Sequence, residues 1–148
     1  MSPVFVDTNV LLYTFDDAYP DKRDQARAWV SACWLQRRGR VSTQVLNELY
    51  ANARKRFRHL ITPGDARAEV RRYQEWSPWQ IDHATVETAW AVESRYGLNY
   101  WDALMVSAAQ HMGCTLLLTE DLQHDQQIDN LRIVNPFQAD ISLLDATP

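Results

Sequence analysis

Apolar residues follow two rhythms along this chain. Short continuous runs mark strands covered on both faces, and spacings of three and four mark helices. Val4-Phe5-Val6 is the first run, and it stops at Asp7-Thr8-Asn9. Val10-Leu11-Leu12-Tyr13 then suits a short helix, which Pro20 ends, with Asp21 placed to cap a new one. From Lys22 to about Gln36, Ala26, Trp29, Val30, Cys33 and Trp34 line one helical face. Gly39 punctuates it, and Val41 is expected at the centre of a very short strand. Ser42 or Thr43 can cap the next helix, where Val45, Leu46, Leu49, Tyr50 and Ala53 share a face. Thr62-Pro63-Gly64-Asp65 is a turn opening a helix to about Trp76, with Thr62 as cap and Pro63 at the first helical position. Ser77-Pro78 breaks that helix. Trp79-Gln80-Ile81 suits an edge strand or extended link, and Asp82 opens a helix that stops at Gly97.

The last third is the most regular part. Tyr100-Trp101-Asp102 starts a helix that is small or apolar nearly all round, hence central and buried, and Gly113 closes it. Thr115 to Leu118 is a second continuous apolar strand, and it too ends at acids, in Thr119-Glu120-Asp121. A polar loop leads to a short strand over Leu131–Val134, which Asn135-Pro136 ends. Strands alternating with helices imply an α/β sandwich, a mainly parallel central sheet flanked by helices. The 148 residues suit one domain over positions 1–148. Trp29, Trp34, Trp90 and Trp101 fall on apolar faces and are expected in the core. Trp76 and Trp79 flank Pro78 and suit a dimer or partner surface.

Composition narrows the class. Apolar residues make up 46% and charged residues 23%, an ordinary globular balance. No apolar run reaches a membrane span and no secretory signal is seen, so the expected location is the cytoplasm. Cys33 and Cys114 have no metal-ligand spacing and are expected as buried free thiols. The net charge of −4 hides an asymmetry: ten Lys/Arg face three acids between Arg37 and Arg72, a balance of +7. A basic sector beside acids can mark a polyanion partner next to a metal site. Helical faces solvated by arginine are the plainer reading.

Four acids stand at element ends or first turns beside apolar elements: Asp7, Glu48, Asp102 and Asp121. Two follow strands, and in a parallel sheet those two share one edge. The other two lie near helix starts, which in a sandwich open on that edge. Helix-dipole stabilisation alone would also account for Glu48. Carboxylates converging there repel by roughly 4 kcal/mol per pair ~4 Å apart at an effective dielectric of 20. They need protons or a hard cation, and oxygen ligands select Mg²⁺ or Mn²⁺ over zinc. The chemistry would be metal-assisted hydrolysis of a phosphodiester. His59, His83, His111 and His124 follow no metal-binding spacing.

Asp7-Thr8-Asn9 after a strand, Glu48 on the third helix, Tyr100-Trp101-Asp102-Ala103-Leu104 and Leu118-Thr119-Glu120-Asp121-Leu122 together resemble the PIN-domain ribonucleases. The likeness extends from Val4 to about Phe137 and is greatest to the VapC-like toxins of bacterial toxin–antitoxin pairs. Each motif is weak alone; four in order are specific. The resemblance implies a PIN-like three-layer sandwich and an Mg²⁺-dependent endoribonuclease, with Mn²⁺ as a substitute. Asp7, Glu48, Asp102 and Asp121 would bind metal and activate water, and Asn9 and Thr119 would orient them. It also implies an RNA substrate, a homodimer and a cognate antitoxin protein. Asp125 lies where related toxins often carry glycine, either as a fifth acid or as a surface residue. A non-catalytic PIN module that binds RNA or protein is the alternative. An aspartyl phosphohydrolase of the haloacid-dehalogenase kind is disfavoured, because Asn9 replaces its second aspartate and the only lysines, Lys22 and Lys55, come early.

Overall fold

The computed structural model describes residues 1–147. Five strands form one sheet in the order β2-β1-β3-β5-β4: β1 is Val4–Val6, β2 Gly39–Arg40, β3 Leu116–Leu118, β4 Gln127–Ile128 and β5 Leu131–Val134. All pairings are parallel except β4 with β5. Every residue of β1 and β3 is buried, which requires helices on both faces of the sheet. The helices are α1 (Thr8–Tyr13), α2 (Pro20–Leu35), α3 (Thr43–Arg56), α4 (Pro63–Arg72), α5 (His83–Tyr96), α6 (Tyr100–His111) and α7 (Leu143–Ala146). The α/β sandwich expected from the alternation of elements is therefore the fold.

The helix starts follow their local chemistry. Ser42 accepts from the Val45 N–H, Asp82 from Thr85 and Asn99 from Asp102. Thr62 and Asp65 close a reciprocal capping box, with Pro63 in the first turn. Gly97 ends α5 in the left-handed region at φ 68°.

Several expectations shift. Pro20 opens α2 instead of ending α1, because a fixed φ and a missing N–H suit a first helical position. Val41 lies just beyond β2, and pairing continues there through a bridge from Ser42 to Trp79. The loop after β3 contains β4, and α7 follows β5; both are too short to carry a periodic pattern. The end of α4 tightens into a 3₁₀ turn at Tyr73–Trp76.

The tryptophans divide differently from their pattern. Trp76 is not at a surface: it is buried with Trp34 and Tyr73, ring centroids 4.9 and 4.8 Å away. Trp90 and Trp101 are not in the core and are exposed. Helices α5 and α6 pack together, the Ser107 hydroxyl donating to the Thr85 carbonyl at 2.7 Å, and Thr85, Ala89, Ala103 and Ser107 are all fully buried. Small residues bring the helices close and leave the neighbouring indoles outside. Cys33 and Cys114 are buried free thiols, as expected.

Part of the basic sector is structural. Arg38 is buried and donates to the carbonyls of Ser2, Leu144 and Thr147 at 2.8, 2.6 and 3.1 Å, pinning the chain's two ends together. Arg72 lies over the Trp34 ring at 4.8 Å and pairs with Glu69. No helix among the described residues is long and apolar enough to cross a membrane.

Gly39 is where the sheet meets the aromatic cluster. A Cβ built there overlaps the Trp76 indole, so the ring or the strand must move. Gly39→Ala is expected to lower stability by about 1–3 kcal/mol, the usual cost of overpacking a filled core, measured by urea unfolding.

Candidate active site

The register of two neighbouring strands builds the base of the site. Val6 of β1 is aligned with Leu118 of β3, and the Asp7 N–H donates to the Leu118 carbonyl at 3.0 Å. Asp7 and Thr119 therefore leave the sheet side by side at its carboxyl edge, where open α/β sheets hold ligands. Asp7 Oδ1 caps α1 by accepting from the Thr8 N–H at 2.7 Å. Its Oδ2 accepts from the Thr119 hydroxyl at 2.8 Å and from Asn9 Nδ2 at 3.0 Å. The same Asn9 amide nitrogen reaches Asp121 Oδ2 at 3.0 Å. Thr119 Oγ1 in turn accepts from the Asp121 N–H at 3.1 Å. One amide and one hydroxyl thus set the spacing of two carboxylates from different strands.

Two helices deliver the other acids. Helix α3 packs on α1, and the Thr8 hydroxyl donates to Glu48 Oε2 at 3.0 Å while Gln44 Nε2 donates to Oε1 at 3.2 Å. Asp102 stands in the first turn of α6, where Asn99 donates to its Oδ2 at 2.8 Å. Asp7, Glu48, Asp102 and Asp121 all line one cavity of about 220 Å³, together with Asn9, Gln44, Asn52, Arg56 and Trp101. A larger groove of about 440 Å³ runs between α3 and α4, but its lining, Asn47 included, holds no carboxylate.

The acids sense one another. Burial, and then the charges of Asp121 and Glu48, push the Asp7 carboxyl up to about 7 against the pull of its hydrogen bonds. Burial and the charge of Asp121 also raise Asp102. Arg56 is the single basic side chain on the cavity wall. Its guanidinium is only loosely paired, 3.8 Å from Asp16.

The donor set fits a hard divalent cation: the cavity wall offers four carboxylates and no thiolate or imidazole. Among the described residues no three such side chains are drawn in closely enough to hold an ion as they stand.

The remaining candidates lie elsewhere. Asp125 is a surface residue, bonded to Arg132 at 2.6 and 3.0 Å. His124 accepts from the Asn135 N–H, and His111 stacks on Trp79. Gln44, Asn52, Arg56 and Trp101 were not anticipated at the site. The first three share the four-residue helical spacing of Glu48, positions 44, 48, 52 and 56, so the signal was present in the sequence.

Linkage gives a stability test. A carboxyl raised from 3.8 to about 7 favours the fold fully below pH 4 and loses that contribution as pH rises through 7. In EDTA at pH 8, Asp7→Asn is therefore expected to melt higher than the parent, by at most on the order of 4 kcal/mol of stability. The difference should close by about pH 4, and Mg²⁺ should raise the melting temperature of the parent alone. Thermal unfolding across pH reads both effects.

Residues 4–128 match the family model of the PIN domain. No curated protein matches the chain. Among solved structures, the chain resembles a toxin–antitoxin complex from Klebsiella pneumoniae, with TM-score 0.66 and 20% identity over 91% of this chain and 98% of that one. It also resembles DNA-bound VapBC from Salmonella typhimurium, with TM-score 0.63 and 20% identity over 90% and 97%. A third likeness is to a sarcin–ricin-loop-cleaving toxin of Mycobacterium tuberculosis, with TM-score 0.55 and 16% identity over 77% and 86%. Identities this low speak to fold, and the fold they share is the sandwich described above. The family model spans most of the sequence, and the chain belongs to the PIN-domain family.

Proposed function

We propose that this protein is a Mg²⁺-dependent endoribonuclease and the toxin of a toxin–antitoxin pair. The observation that carries the reading is the convergence of Asp7, Glu48, Asp102 and Asp121 on one cavity at the carboxyl edge of the sheet. Family membership supports nuclease chemistry, and the likeness to toxin–antitoxin complexes supports an antitoxin partner. A homodimer and an RNA substrate are the expectations carried with it.

The four carboxylates would hold Mg²⁺, or Mn²⁺ in its place. A bound divalent ion lowers the pKa of water and polarises a phosphoryl oxygen. The chain's own part is preorganisation. Asn9 and Thr119 fix Asp7 and Asp121 against their mutual repulsion, and Thr8 and Gln44 hold both oxygens of Glu48. Asn99 sets the rotamer of Asp102. Groups held this way lose little freedom when substrate binds. A non-catalytic module would have no use for four acids kept in repulsion.

The test is cleavage of total RNA by the purified chain, with Mg²⁺ and with EDTA. Discrete Mg²⁺-dependent fragments are expected, absent with Asp7→Asn. Asn9→Ala should reduce Mg²⁺ affinity or rate by roughly 10–100-fold, the usual cost of losing a residue that orients a metal ligand. A folded parent that binds Mg²⁺ yet cuts no RNA in that pool would favour the non-catalytic module.

A further inference from the structure

Helix α3 carries a polar stripe through the acid cavity. Gln44, Glu48, Asn52 and Arg56 are spaced four apart and all line it. The stripe is ~18 Å long at 1.5 Å rise per residue. Its two ends differ in chemistry. At the Gln44 end, Gln44 Nε2 donates to the Trp101 carbonyl at 3.1 Å as well as to Glu48. Trp101 lines the cavity there, and the residue is 64% exposed. The Tyr100 ring meets one edge of the indole at 5.2 Å and 67°. At the far end stands Arg56, the one cation of the wall. Arg54 and Lys55 share its helix turn and complement the helix dipole, but neither lines the cavity.

We propose that single-stranded RNA crosses the site along this stripe, with a nucleobase stacked on Trp101 at one end and a backbone phosphate held by Arg56 at the other. The inference rests on the nuclease reading above and adds the residues that bind the substrate. An exposed, oriented indole offers a flat face that any unpaired base can use. Bases in a duplex have their faces covered by neighbours, so the platform selects unstacked strands. Arg56 is loosely paired with Asp16, so a phosphate can compete for its guanidinium. Both groups belong to the site wall without belonging to the carboxylate cluster. Trp101 and Arg56 are therefore positioning residues, and their loss should weaken binding more than it disturbs the acids.

The experiment measures binding of a short, mixed-sequence, fluorescein-labelled single-stranded RNA by anisotropy, across a range of salt. The full chain carries Asp7→Asn, so the probe stays intact and binding is read independently of cleavage. Both sites are exposed, and circular dichroism checks that each variant folds. Trp101→Ala is expected to weaken binding by roughly tenfold with unchanged salt dependence, and Trp101→Phe to restore most of it. Arg56→Gln should weaken binding and reduce the slope of log K against log salt by about 0.7, one phosphate contact on a single strand. The blunt duplex of the same sequence should bind more weakly than the strand. Folded Trp101→Ala and Arg56→Gln chains that bind the strand like the parent would overturn the proposal. So would equal binding of duplex and strand, or a Trp101→Ala chain that changes only its oligomeric state, which would make the indole a contact for a second copy. Cleavage by the parent that survives with these binding results unmet would sink this inference and leave the nuclease reading standing.

Discussion

The Asn9 side-chain amide is the interaction on which the site depends. It bridges Asp7 and Asp121, two carboxylates that leave neighbouring strands and would otherwise move apart. At an effective dielectric of 20, like charges ~4 Å apart repel by roughly 4 kcal/mol. Burial is the larger effect on Asp7: with the smaller push of the Asp121 and Glu48 charges it outweighs the hydrogen bonds from Thr119 and Thr8 and moves the carboxyl up to about 7. Carboxylates gathered in this way cost stability while their charge is uncompensated. A cation is the simplest reason for such an arrangement to persist.

The fold makes this placement inexpensive. Parallel pairing of β1 with β3 puts Asp7 and Thr119 in adjacent register, so their convergence follows from backbone hydrogen bonds. Asp7 also serves as the cap of α1, which fixes one of its oxygens before any ligand arrives. Helix α3 then brings Glu48 in because its apolar stripe of Val45, Leu46, Leu49 and Ala53 is buried and fixes its rotation. The same rotation turns Gln44, Asn52 and Arg56 toward the cavity. Core packing and cavity lining are thus two faces of one helix.

Much of this was legible in the sequence. The runs Val4–Val6 and Thr115–Leu118 announced buried strands, the second one residue longer than β3, and an acid after each announced the shared edge. Caps at Ser42, Thr62 and Asp82 were readable because capping is local. What was missed depends on contacts distant in sequence. Trp101 sits among apolar residues and reads as core, yet the close approach of small residues between α5 and α6 leaves it outside. Trp76 flanks a proline and reads as surface, yet Trp34 and Tyr73 enclose it. Arg56 reads as one of a basic run; its spacing from Glu48 already put it on the Gln44–Glu48–Asn52 face, and the packing of α3 turns that face to the cavity. Strand β4 is two residues long and borrows its order from β5, so no pattern could reveal it.

The most direct measurement is an anomalous difference map from crystals of the chain grown with Mn²⁺, at a concentration that supports RNA cleavage. A metal site of four carboxylates requires an anomalous peak among Asp7, Glu48, Asp102 and Asp121, with Asn9 still bonded to the first and last of them. Crystals that show active protein with no ion in that cavity, or with Mn²⁺ bound only elsewhere, would contradict it.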